Sequence, residues 1–276
     1  MTVEPEAAVI GMSVLVSVVA AVRGTWSPCG LSMITSINPM SERARGHRYG
    51  LTVLWFVAGS TLGGVLLGTG GALVGLVQGL LTSATGAMAV AVVAAVVSAA
   101  NDSRLLPWAL PVHPRQVNER WLIRFRRWVY AAGFGLQIGL GFATYIMTAA
   151  VYLTAVLAAT LTVITGSLSA GILLGAVFGF VRGATVLLSG KADDPIRLSM
   201  VHQRLDQLEP WSRRAAIAAA LVAAGGISWA AFGAVGGIIV ATTVILGATM
   251  VARRRSDGGA GACANEQVVA RAGRHG

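Results

Sequence analysis

Charge is scarce in this sequence. Only 12% of its 276 residues are charged and only 11 are acidic, against about 25% charged in ordinary soluble domains. With 55% hydrophobic residues and a mean hydropathy of +0.72, that deficit excludes a typical soluble globular domain and predicts a membrane protein. Histidine is also rare. His47, His113, His202 and His275 all fall in loops or the tail at spacings that form no metal site. No phosphate-binding glycine loop is present, and Asp193-Asp194, in a basic connection, read as solvated charges. There is no sign here of a hydrolase or a metalloenzyme, and no cofactor is expected. No basic residue precedes the first apolar run, so no cleaved signal peptide is expected.

What the chain does have is long apolar runs, at roughly 7–22, 50–75, 80–100, 128–160, 164–189 and 215–252. Each is near or above the ~20 residues that cross a bilayer as a helix. The net charge of +10 is confined to four segments, carrying Arg43 to Arg48, Arg104 to Arg127, Lys191 to Arg214, and Arg253 to Arg274. The connections near 76–80 and 159–166 carry no charge. Basic loops on one side and neutral turns on the other follow the positive-inside rule. The basic residues are therefore read as cytoplasmic, and no nucleic acid is expected as a partner. Only Arg23 and Arg182 fall within apolar segments.

The first apolar unit, about 7–38, is too long for one straight crossing and contains Ser27-Pro28-Cys29. Proline cannot continue a helix hydrogen-bond ladder, whereas serine followed by proline starts one well. A break at Pro28 is predicted, with Cys29 in the first turn of a new half-helix and Ser32 and Ser36 on its face. The dipole of that half-helix favours a thiolate, and desolvation opposes it. Arg23, five residues before the break, is a candidate functional charge or an arginine bonded to freed carbonyls. Asn38-Pro39 ends the unit.

Glycines recur in the second span, and Gly171, Gly175, Gly179 and Gly183 recur at strict four-residue intervals in the fifth. This is the spacing of close helix packing in membranes. In the fourth span Gln137, Gly141, Thr144, Thr148 and Tyr152 step by three or four. They predict a polar or small stripe that faces other helices or a wet cavity. Trp121, Phe125 and Trp128 among arginines suggest an interfacial helix. The last run, 215–251, would make a helix of about 55 Å against a hydrocarbon core of ~30 Å. A hairpin near 232–237 keeps Arg253–Arg255 on the basic side. The expected organisation is an external N-terminus at 1–6, a first transmembrane half at 7–100, and a basic cytoplasmic loop at 101–127. A second half plus an extra span follows at 128–251, then a disordered basic tail at 252–276. This is an all-α polytopic bundle of seven spans in the plasma (inner) membrane, with the N-terminus outside and the C-terminus in the cytoplasm.

Ser27-Pro28-Cys29 in a broken first span, three spans per half, and glycine-rich second and fifth spans together resemble the DsbD/CcdA family. These are the cytochrome c biogenesis transmembrane proteins, related to the LysE-type transporter group. The resemblance spans roughly 8–235. It implies two inverted three-helix halves with broken first and fourth helices, passing reducing equivalents from a thioredoxin-like protein through one cysteine per half. Cys29, after Pro28, matches the first cysteine. Within Gly139–Tyr145 the second position holds Thr144, which forms no disulfide, and Cys263 lies in the tail.

Two functions follow. In thiol redox, Cys29 would exchange disulfides with a separate, thioredoxin-like partner. In solute transport, the broken first helix with Arg23 and Ser27, together with Gln137, Thr144 and Thr148, would line a path.

Overall fold

The computed structural model describes the backbone at 3–106 and 124–272, and side chains from Glu6 to Ile238 within those limits plus Val240 and Thr242, Ile239 excepted. Helix α1 (Val3–Arg23) ends in a 3-10 turn (Gly24–Trp26). Ser27 then opens α2 (Pro28–Ser36), its hydroxyl accepting from Gly30 N at 3.1 Å, with Pro28 in the first helical turn. Asn38 opens α3 (Pro39–Ala44) in the same way, accepting from Ser41 N at 2.8 Å. Helices α4 (Tyr49–Leu81), α5 (Ala84–Asp102), α6 (Arg127–Leu140), α7 (Ala150–Thr165), α8 (Leu168–Ala184) and α9 (Pro195–Ala272) follow. The protein is an all-α polytopic helical bundle. Among the described residues five stretches are long and apolar enough to cross a bilayer, namely Glu6–Trp26, Tyr49–Leu81, Ala84–Asp102, Leu168–Ser189 and Pro195–Ile238. Large apolar side chains such as Leu54, Leu62, Leu73 and Leu80 point outward, as a lipid-facing surface requires.

Helix α4 is the central element because its glycines let neighbours approach to backbone contact. A Cβ on Gly59 would strike Ala132 O of α6, and one on Gly75 would lie 2.5 Å from Ala159 O of α7. Against α8 the relationship is reciprocal. A Cβ on Gly64 would meet Gly175 O, and one on Gly175 would meet Gly64 O. Gly171, Gly179 and Gly183 make the same close approaches, to Ala158 of α7 and to Ser60 of α4. Small residues permit this proximity and dispersion holds it.

Two features differ from the sequence expectation. The fourth span, 128–160, is broken, as the family resemblance implied, and the helical stripe read along it made no allowance for that. Helix α6 stops at Leu140, Gly141 takes φ 74°, and 141–149 is irregular before α7 begins. The expected stripe from Gln137 to Tyr152 is therefore not a helical face, because its spacing was counted across a break. The basic stretch 191–214 is not a loop either. Asp193 and Asp194 pair with Arg197 at the start of α9. From there the helix runs antiparallel to the whole first unit, with His202 by Thr35, Leu205 by Trp26, Glu209 by Arg23 and Gly226 by Met12. At Gly233 (φ 61°, ψ −149°) α9 breaks, and Gly236 folds back against Ser228. Most of the 101–127 loop, including Trp121 of the expected interfacial helix, lies outside the described residues.

Candidate functional site: the junction of two broken helices

Both interruptions leave carbonyls at a helix end with acceptor capacity to spare, Ile138 O among them although it also accepts from Gly141 N at 3.2 Å. The residue that collects them is Arg182, on α8 and only 4% exposed. Its Nε donates to Ile138 O in the last turn of α6 at 3.1 Å, and its Nη1 donates to Ala21 O in the last turn of α1 at 3.3 Å. Nη2 reaches Ser27 Oγ at 3.5 Å. That hydroxyl already donates to Gly24 O at 2.7 Å while capping α2. One guanidinium thus joins the negative ends of α1 and α6, whose dipoles favour a cation, to the N-cap serine of α2, whose dipole does not. A Cβ at residue 24 would fall on Arg182 Nη1, so any larger residue there displaces the guanidinium from these bonds.

Around this junction the sequence candidates separate. Cys29 is 2% exposed in the first turn of α2, two residues after the Ser27 hydroxyl that Arg182 reaches. Ser32, one turn on, is half-buried. Thr25 Oγ1, in the first break, and Thr144 Oγ1, in the second, are both buried with no hydrogen-bond partner among the described residues. Buried hydroxyls are rarely left so. Thr148 is engaged elsewhere. It donates to Asp102 at the end of α5, which also accepts from Ala149 N at 2.9 Å and so caps α7. Gln137 is half-buried on α6. Arg23, 4% exposed, pairs with Glu209 at 2.6 Å and donates to Ser212 Oγ at 2.7 Å, tying α1 to α9.

Two residues went unread in the sequence. Arg182 was visible as a charge inside an apolar span, a functional candidate on that ground alone, yet its partners are backbone atoms that leave no trace in composition. Glu42, on α3, is fully buried. It accepts from Arg45 at 2.7 Å, from Thr52 at 2.5 Å, and from Tyr130 at 3.0 Å to each oxygen.

With this geometry in place, the chain can be set beside known proteins. It is 32% identical over 164 residues to the methylamine utilization protein MauF of Paracoccus versutus, covering 57% of each chain. Against the same-named protein of Paracoccus denitrificans the identity is 30% over 182 residues, 65% of this chain and 62% of that one. Against that of Methylophilus methylotrophus it is 29% over 185 residues, 66% and 63%. The aligned part thus spans about three-fifths of these relatives. No family model matches, and no solved structure matches. These findings overturn the resemblance to the DsbD/CcdA family and its cytochrome c role. Ser-Pro at a helix start is general capping chemistry, so three residues around a break carried a kinship they could not support.

Proposed function

We propose that this chain is a multi-pass plasma (inner) membrane protein of methylamine utilization that moves a small polar solute through the junction of its two broken helices. The observation that carries the reading is Arg182, buried and bonded to both helix breaks. A charge is costly at that depth and marks a functional pathway by default. Helices broken at mid-membrane are also the usual way that transporters build a solute site. The unpartnered hydroxyls of Thr25 and Thr144, one in each break, suit a hydrogen-bonding solute. A fixed guanidinium repels methylammonium at close range, so the solute is neutral or anionic. The orientation, N-terminus outside and C-terminus cytoplasmic, draws support from packing. Arg45 bonds Ser36 O at the end of α2, Tyr130 beside Arg127 bonds Glu42, and Tyr49 bonds Val186 O near Lys191. Three of the basic segments therefore meet at one end of the bundle.

The test is growth. In a host that depends on this protein for methylamine as nitrogen source, wild-type protein should restore growth. Arg182→Gln should not, at equal membrane abundance. Full growth with Arg182→Gln would remove the reading.

A second reading has one observation behind it, the place of Cys29 two residues after Ser27, whose hydroxyl Arg182 reaches. In that reading Cys29 exchanges disulfides with a separate thioredoxin-like protein. It requires the junction to open, because the thiol is buried.

A further inference from the structure

Glu42 lies at the basic end of the bundle, away from the Arg182 junction, and no part of the proposed solute path uses it. Its carboxylate has no exposed surface. The groups that face it are Arg45 from its own helix, His47 from the following connection, Thr52 from α4 and Tyr130 from α6. Arg45 does not exchange its proton in proteins. Thr52 is itself fully buried, with its hydroxyl between Glu42 and Arg48 O. Tyr130 is fully buried as well, but its hydroxyl has a third neighbour, His47 Nδ1 at 3.4 Å. The His47 side chain is 32% exposed, and among side chains only histidine changes charge near neutrality in its unperturbed state. His47 and Glu42 also approach directly, Nδ1 to Oε2 at 3.5 Å. That separation is wider than either contact of the Tyr130 hydroxyl.

We propose that Glu42, Tyr130 and His47 form a proton-binding relay in which the buried carboxylate takes up and releases a proton through the tyrosine hydroxyl. Uptake starts with a proton from solvent on His47 Nε2. His47 Nδ1–H passes its proton to Tyr130 Oη while Tyr130 passes its own to Glu42. The imidazole ends neutral with its proton on Nε2, the phenol is restored, and the carboxylate becomes a carboxylic acid. One proton has been gained and no electrons have moved. Neutralised Glu42 then holds the still-charged Arg45 by a hydrogen bond with no opposite charge behind it, weaker than the ion pair. The contact between α3 and the starts of α4 and α6 thereby loosens at the basic end of the bundle.

The relay is testable without any solute, so its failure and that of the transport reading are separate. Purified full-length protein carrying ¹³C-glutamate is followed by infrared spectroscopy after a rapid acid jump. Wild type should show the C=O band of a protonated buried glutamate, absent in Glu42→Gln. Tyr130→Phe should reach the same final amplitude roughly a hundredfold or more slowly, the low end of the range by which a positioned acid–base group speeds proton transfer. The proposal is overturned if the band persists in Glu42→Gln, or if Tyr130→Phe follows wild-type kinetics. Should Glu42→Gln fail to fold, His47→Gln at its part-exposed position must slow the rise. A wild-type rate there is equally fatal.

Discussion

Arg182 occupies the space that the first carbon of any side chain at residue 24 would need. Gly24 is therefore tied to a charge 158 positions later in the chain, and any side chain at 24 must displace the guanidinium from its bonds. The close approach lets one guanidinium serve the ends of α1 and α6 together.

Gly24→Ala should accordingly destabilise the folded protein by about 1–3 kcal/mol or more, the usual cost of forcing volume into a packed site. Gly11→Ala, where a Cβ meets nothing within 4 Å, is the matched control. Thermal unfolding in detergent should separate the two.

The reciprocal contact of Gly64 and Gly175 makes a similar demand on the bundle core. Gly175→Leu should reduce folded protein in the membrane, because a bulky group there must separate α4 from α8. Gly70→Leu, on an open face of α4, should not. Equal abundance of both variants would show that the glycine row does not set the helix spacing.

Arg23 and Glu209 should couple modestly. Glu209 is 36% exposed, so solvent screens the pair, and a double-mutant cycle with Arg23→Gln and Glu209→Gln should give on the order of 1 kcal/mol or less. A coupling several times larger would mean that the pair holds α9 in place.

Cys29 should react slowly with a membrane-permeant maleimide in the native protein and rapidly after denaturation, since only 2% of the residue is exposed. Rapid native labelling would show that the junction opens spontaneously, and would strengthen the thiol-exchange reading.

How much of this could be read in advance depended on the range of the chemistry. The break at Pro28 was legible because Ser27, Pro28 and Gly30 settle it among themselves. The turn near Gly233 was legible because length alone forbids a straight 37-residue crossing of 215–251. The second break was implied only by the family resemblance, which called for a broken fourth helix, and not by the residues around it. Gly141 fits a small-residue stripe as readily as it fits a positive φ, and no proline marks the place. The roles of Arg182 and Glu42 were hidden for another reason. Arg182 bonds carbonyls, which every residue has, and Glu42 finds Tyr130 at a separation of 88 positions. Arg23 meets its partner 186 positions away. The family likeness failed because it leaned on a local capping motif, while the matched relatives share residues along some 164–185 positions.

The central claim is that the Arg182 junction passes a small neutral or anionic solute. It is tested most directly by charge movement on a solid-supported membrane bearing the reconstituted protein. Formate, acetate, sulfate, phosphate and methylammonium are each applied in turn, and uptake of a labelled neutral amide is measured in parallel. The account predicts a response to at least one anion or to the amide, none to methylammonium, and loss of that response in Arg182→Gln with the protein still folded. A response to methylammonium that survives Arg182→Gln would contradict it.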